Sequence, residues 1–181
     1  QINNNLEAKI TSLTASSYND QKGFPALDYL LYKKDIGTKE RAYIRLIIAD
    51  MDTRINTTLN GWNNFYRDAF VTRGGYNNGS STSLLLNSFI KYYEKNFRDG
   101  KFGIPLGIRS QGALQLDRTE AVYSGISNTL LQTSISSMFS LFKGGSGYGF
   151  DDLLKSEDSN MDQERITEIL SQFETIEEEC N

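Results

Sequence analysis

From Lys39 to about Val71 the sequence carries one unbroken apolar stripe. Ile44, Ile47, Ile48, Met51, Ile55, Leu59, Trp62, Phe65, Tyr66 and Ala69 recur at helical steps. Roughly thirty residues at ~1.5 Å each make a rod of about 50 Å. Short neighbours cannot bury a stripe of that length. The rod therefore runs across two sub-bundles or meets helices outside this chain. Thr38 reads as its cap. Gly61, inside it, costs about 1 kcal/mol relative to Ala and predicts a kink or a close helix contact there.

The remaining periodicity is helical as well. Asn5 to Ser16 places Leu6, Ile10 and Leu13 at steps of four and three, and Ser16 to Gly23 is a polar break. A helix opens at Pro25 with Ala26, Leu27, Leu30 and Leu31, and stops near Lys33-Lys34. Ser80 or Ser81 caps a helix through about Phe97. Asp117, with Glu120 three residues on, predicts a capped helix running to Phe142. Gly144 to Gly149 stops that helix as a flexible connector. A short turn at Phe150–Lys155 and a last helix over about Asp162–Glu178 follow. No alternating run demands a strand, so the fold is all-α, an up-and-down helical bundle. The chain opens on Gln1 with neither an initiator Met nor a signal peptide, and it reads as part of a longer product.

Composition removes several chemistries. There is no histidine among the 181 residues, which excludes histidine triads, H-E-x-x-H zinc sites and ordinary histidine acid–base catalysis. A metal held by this chain would rest on carboxylates, carbonyls and hydroxyls. The one cysteine, Cys180, has no internal disulfide partner. A formal charge of −4 gives no footprint for nucleic acid, and no apolar run is long enough to span a bilayer. The acidic tail Glu174–Glu179 reads as a solvated face.

Three segments could carry a site. In Gly23-Phe24-Pro25-Ala26-Leu27-Asp28, Pro25 and Asp28 lie on one face of a helix start, where Asp28 either stabilises the dipole or lines a cleft. In Lys101-Phe102-Gly103-Ile104-Pro105-Leu106-Gly107, followed by Arg109, glycines around a proline suit a crossover or a binding loop. On the helix predicted from Asp117, Glu120, Ser124 and Ser127 share one face. They would either join Arg41, Arg45 or Arg109 in a hydrogen-bond network or form a ligand site.

Taken in order, these segments resemble the imelysin-like proteins, the peptidase M75 group. The family's Gly-x-His-x-x-Glu signature aligns with Gly23, Pro25 and Asp28. Its Lys-x-Gly-x-Pro-Leu-Gly block aligns with Lys101, Gly103, Pro105, Leu106 and Gly107. Its Glu-x-x-Tyr-Ser-x-x-Ser block aligns with Glu120, Tyr123, Ser124 and Ser127. The resemblance is strongest over residues 23–155 and treats 1–181 as one imelysin-like helical domain of a longer chain.

It implies two related helical bundles in a periplasmic or outer-membrane lipoprotein tied to iron uptake, with an iron or other divalent metal ion as possible ligand. Pro25 in the histidine position matches the lipoprotein branch, and Pro offers no nitrogen to bind metal. The resemblance therefore leans towards a non-catalytic protein binding an iron-related ligand or partner through Gly23, Pro25, Asp28, Arg109, Glu120, Ser124 and Ser127. Asp28 and Glu120 are its metal candidates. The alternatives are an M75-type metallopeptidase and a helical module docking on an outer-membrane transporter. In the docking reading, Tyr92, Tyr93, Phe97 and Phe102 would mark the interface.

Overall fold

The computed structural model describes residues 22–33, 35–75, 77–157 and 163–179. The expected helix over Asn5–Ser16, the Lys34 end of the helix that follows, and Cys180 lie outside the described residues. Among the described residues every regular element is helical.

Helix α1, Phe24–Asp28, continues as a wide π-helical turn over Tyr29–Lys33. Gly23 precedes it with φ 81°, a left-handed conformation open to a residue without Cβ, and its carbonyl accepts from Leu27 N–H at 3.1 Å. Pro25 sits in the first turn, where a missing N–H costs nothing. Helix α2, Thr38–Gly61, runs on through a π turn at Trp62–Tyr66 into α3, Arg67–Thr72. The predicted rod is there, but its cap is Gly37 and not Thr38. The Gly37 N–H donates to the Glu40 carboxylate at 3.1 Å.

The irregularity predicted at Gly61 takes the form of the π turn that starts one residue later. Among the described residues a Cβ on Gly61 would meet nothing within 4 Å, so none of them makes a close helix contact there. The stretch before it is rich in hydroxyls bonded to the helix itself. Thr53, Thr57 and Thr58 each donate to the carbonyl four residues back, at 2.8, 2.8 and 2.9 Å. Such side-chain bonds compete with the helical ladder and loosen it.

Helix α4, Ser81–Lys91, is capped by Ser80, whose hydroxyl accepts from Ser83 N–H at 3.2 Å. It passes into a long π-helical stretch, Tyr92–Gly103, so the chain stays helical past Asp99-Gly100. Helix α5 is Ser127–Lys143, α6 is Phe150–Glu157 and α7 is Gln163–Glu179. The segment Phe150–Lys155, expected as a turn, is thus a helix.

Two hydrophobic clusters organise these elements. In the first, Ala26 and Leu30 of the α1 stretch pack with Tyr43 and Ile47 of α2, with Met51 at the margin. In the second, Phe97, Ile135 and Met138 are surrounded by Phe89, Tyr93, Phe102, Leu131, Phe173 and Ile176. This joins the α4 stretch, α5 and α7 in one bundle. Ring pairs extend it, Phe89 on Phe150 at 5.5 Å and Phe139 on Phe173 at 5.8 Å. Phe97 is buried, and Tyr93 and Phe102 pack against it. Of the rings expected at an interface, three therefore belong to the core, and Tyr92 alone is exposed.

Beyond Met51 the rod is sparsely covered among the described residues until Phe70 and Arg73, whose carbonyls accept from Ser81. Ile55, Leu59, Trp62 and Tyr66 are between 40 and 68% exposed. The expectation that short neighbours would fail to cover the stripe describes this half of the rod.

The candidate site is a clamped turn between two clusters

The predicted helix from Asp117 to Phe142 starts ten residues late, at Ser127. In its place, Leu116–Arg118 forms one 3-10 turn and the chain folds through an irregular turn up to Ile126. Ala121 lies at φ 52°, where a Cβ crowds the following carbonyl, and Gly125 lies at φ 72°. A left-handed residue cannot continue an α-helix. Glu120, Ser124 and Ser127 therefore do not share a helix face as the spacing predicted.

The turn is held from two sides. Asp28 reaches across from the α1 stretch: one carboxylate oxygen accepts from Ser124 N–H at 2.9 Å and the other from Tyr123 N–H at 3.0 Å. Adjacent amides pointing at one carboxylate form an anion-binding concavity, here filled by the protein's own side chain. The neighbouring Tyr29 ring meets the Tyr123 ring edge-on, with centroids 5.3 Å apart. Asp28 thus faces a turn 95 residues away along the chain, and dipole stabilisation is not its role. From the second cluster, the Lys101 ammonium pairs with the Glu120 carboxylate and points also towards the Leu130 carbonyl at 3.5 Å. Lys101 is nearly buried while Glu120 stays half exposed.

Inside the turn the hydroxyls are spent on backbone. Ser124 donates to the Ala121 carbonyl at 3.2 Å, and Ser127 donates to the Glu120 carbonyl. Gly125 N–H closes the turn on the Ala121 carbonyl at 3.1 Å.

Arg109 stands apart from this arrangement. It makes a forked contact with Asp99, Nε to Oδ1 at 3.0 Å and a terminal nitrogen to Oδ2 at 2.9 Å. The guanidinium holds the Asp99 carboxyl below its ordinary value, and Asp99 in turn raises that of Arg109. Arg41, another expected partner of Glu120, donates to the Ile36 carbonyl. The loop around Arg109 is folded tightly on itself. Gly107, at φ 84°, passes so close to Ala113 that a Cβ would sit 2.5 Å from its carbonyl oxygen. The close approach read into the glycines beside Pro105 is therefore made within the loop.

The predicted residues sort into three groups. Asp28, Glu120, Ser124 and Ser127 meet at one turn. Gly23 and Pro25 shape the helix that delivers Asp28. Arg109 secures its own loop to Asp99. Lys101 and Ala121 were missed as site residues. The Lys101 motif names no partner for its ammonium, and no local signal marks Ala121 as left-handed. Among the described residues no three of His, Cys, Asp and Glu stand together as a metal-binding group, and no helix is long and apolar enough to cross a membrane.

An all-helical chain whose signature segments converge on one clamped turn defines the class. The imelysin family model, peptidase M75, matches residues 1–179, and the chain belongs to that family. No curated protein and no solved structure matched it.

Proposed function

We propose that this imelysin is a non-catalytic protein of the bacterial cell envelope that holds an iron-related ligand or an iron-uptake partner beside the turn over residues 119–126. One observation carries the non-catalytic part. The signature carboxylate, Asp28, spends both oxygens on backbone amides of Tyr123 and Ser124, and Pro25 has no nitrogen to offer a metal or a proton. The signature thereby serves as a joint between two clusters. Membership of a family that is generally extracellular or envelope-associated supports the location. Its family, the imelysins, supports iron as the element concerned.

The half-exposed Glu120, positioned by Lys101, is the acidic group this turn offers to a ligand. Titration calorimetry of the intact protein with Fe(III), Fe(II), Ca²⁺ and haem tests the reading. Heat from an iron species, weakened in Glu120→Gln, is the expected result. Silence from all four removes the small-ligand form and leaves a protein partner, sought by pull-down from membranes. The competing reading, an M75-type metallopeptidase, requires zinc-dependent cleavage of an unfolded substrate by the mature protein.

A further inference from the structure

We propose that the loop over residues 104–118 docks on an anionic lipid surface, entering it with Leu106, Ile108, Leu114 and Leu116. These four aliphatic side chains are between 55 and 75% exposed. Water disfavours so much apolar surface on one short loop, and such a concentration marks a site of interaction. The loop does not fold over to hide them, because its backbone is already committed. Gln115 N–H donates to the Pro105 carbonyl at 2.8 Å, Gly112 N–H to the Gly107 carbonyl at 2.9 Å, and the Ser110 hydroxyl to the Ala113 carbonyl at 2.7 Å. Gly103, Pro105 and Gly107 are buried, while Leu106 and Ile108 between and beyond them are exposed. The bond from Gln115 to Pro105 sets Leu114 and Leu116 alongside Leu106. The Arg109–Asp99 fork ties the whole loop to the helical stretch that precedes it.

Charge and side-chain type point to lipid. Between Lys91 and Arg118 the chain holds six cations against three carboxylates, although the whole chain carries −4. Arg98, Arg109 and Arg118 are exposed there, and Asp99 is turned into Arg109. Asp117, next to Arg118, is the one carboxylate of the loop itself. The loop thus offers cations to a negative surface from a chain that is otherwise acidic. A protein-binding surface is enriched in aromatic rings and Met at its centre. Residues 103–118 contain neither. Aliphatic side chains flanked by arginines suit the edge of a bilayer, where the apolar groups insert shallowly and the guanidinium groups stay with the headgroup phosphates.

Vesicle flotation tests the proposal, independently of what binds at the turn over residues 119–126. The intact protein should float with vesicles of phosphatidylglycerol and phosphatidylcholine about tenfold more than with phosphatidylcholine alone, and less in high salt. Ile108→Asn combined with Leu114→Asn should cut the bound fraction by about tenfold. Both side chains are exposed, so far-UV circular dichroism and the unfolding midpoint should stay as they are. In a Cys180→Ser background, a polarity-sensitive dye on Ile108→Cys should shift to the blue on anionic vesicles and be quenched by brominated acyl chains. No flotation, equal binding by the double variant, or a dye that stays in water overturns the proposal. Attachment to isolated native membranes that protease treatment of those membranes abolishes, while lipid vesicles bind nothing, overturns it in favour of a protein partner.

Discussion

Asp28 shows how far one carboxylate can act when its partners are backbone amides. Its two acceptor bonds tie the first cluster to a turn that the second cluster also grips through Lys101. Asp28→Ala would leave two amides without their charged acceptor, at a cost of about 1–3 kcal/mol. Denaturant unfolding measures that loss, and a cost near zero would show that water replaces the carboxylate. Ala121 carries the opposite sign. Its φ of 52° stores roughly 1–2 kcal/mol in an L-residue, so Ala121→Gly should stabilise the fold by up to about 1 kcal/mol, read as a raised denaturation midpoint. Asp99 sets a pH limit on its loop. Its folded value is lowered, so the pairing with Arg109 is fully present above the ordinary carboxylate range and fades only as pH falls through that lowered value. The Arg109 Nε–H chemical shift should hold its paired position from neutral pH to about 4 and move towards that of a free arginine in stronger acid.

At the scale of elements, legibility in the sequence followed the range of the forces involved. The rod, the Ser80 cap and the end of α5 at Gly144 depend on periodicity and on side chains next to the element they shape. They were readable for that reason. The start of α5 was not, because Asp117 and Glu120 carry a good local capping signal that a distant carboxylate and a left-handed alanine override. The helix over Tyr92–Gly103 was predicted too short for the converse reason. Asp99-Gly100 is a plausible stop, yet Phe97 and Phe102 are drawn into the second cluster and carry the helix past it. The joint itself was half legible. Order and spacing named Asp28, Glu120, Ser124 and Ser127 together, while which atom meets which depended on a turn that no local pattern announces.

Across the whole molecule, two clusters linked by a turn should not respond alike. Ile47 is fully buried in the first cluster, and Ile47→Ala should cost about 2–5 kcal/mol there. Combined with Asp28→Ala, it should uncouple the clusters. Hydrogen exchange would then show the α1 stretch and the lower rod opening before α5 and α7. Uniform opening in the double variant would show that the clusters remain one cooperative unit. Burial raises the Tyr43 phenol above its ordinary value of 10.0, since charge is disfavoured away from water. Stability from the neutral ring is present below that value and is lost as pH rises through the folded one, so the first cluster should be the one to fail in alkali.

The glycine-rich segment after α5 read as a flexible connector, and its geometry says otherwise. Gly147 N–H donates to the Gly144 carbonyl at 2.8 Å, and a Cβ on Gly144 would sit 2.2 Å from the Gly149 nitrogen. A protease must draw several residues into an extended strand before it can cut. This loop is folded back on its own backbone, so chymotrypsin should spare Tyr148 although that ring is 91% exposed. Gly144→Ala, which forces the two strands of the loop apart, should turn the same tyrosine into an early cleavage site.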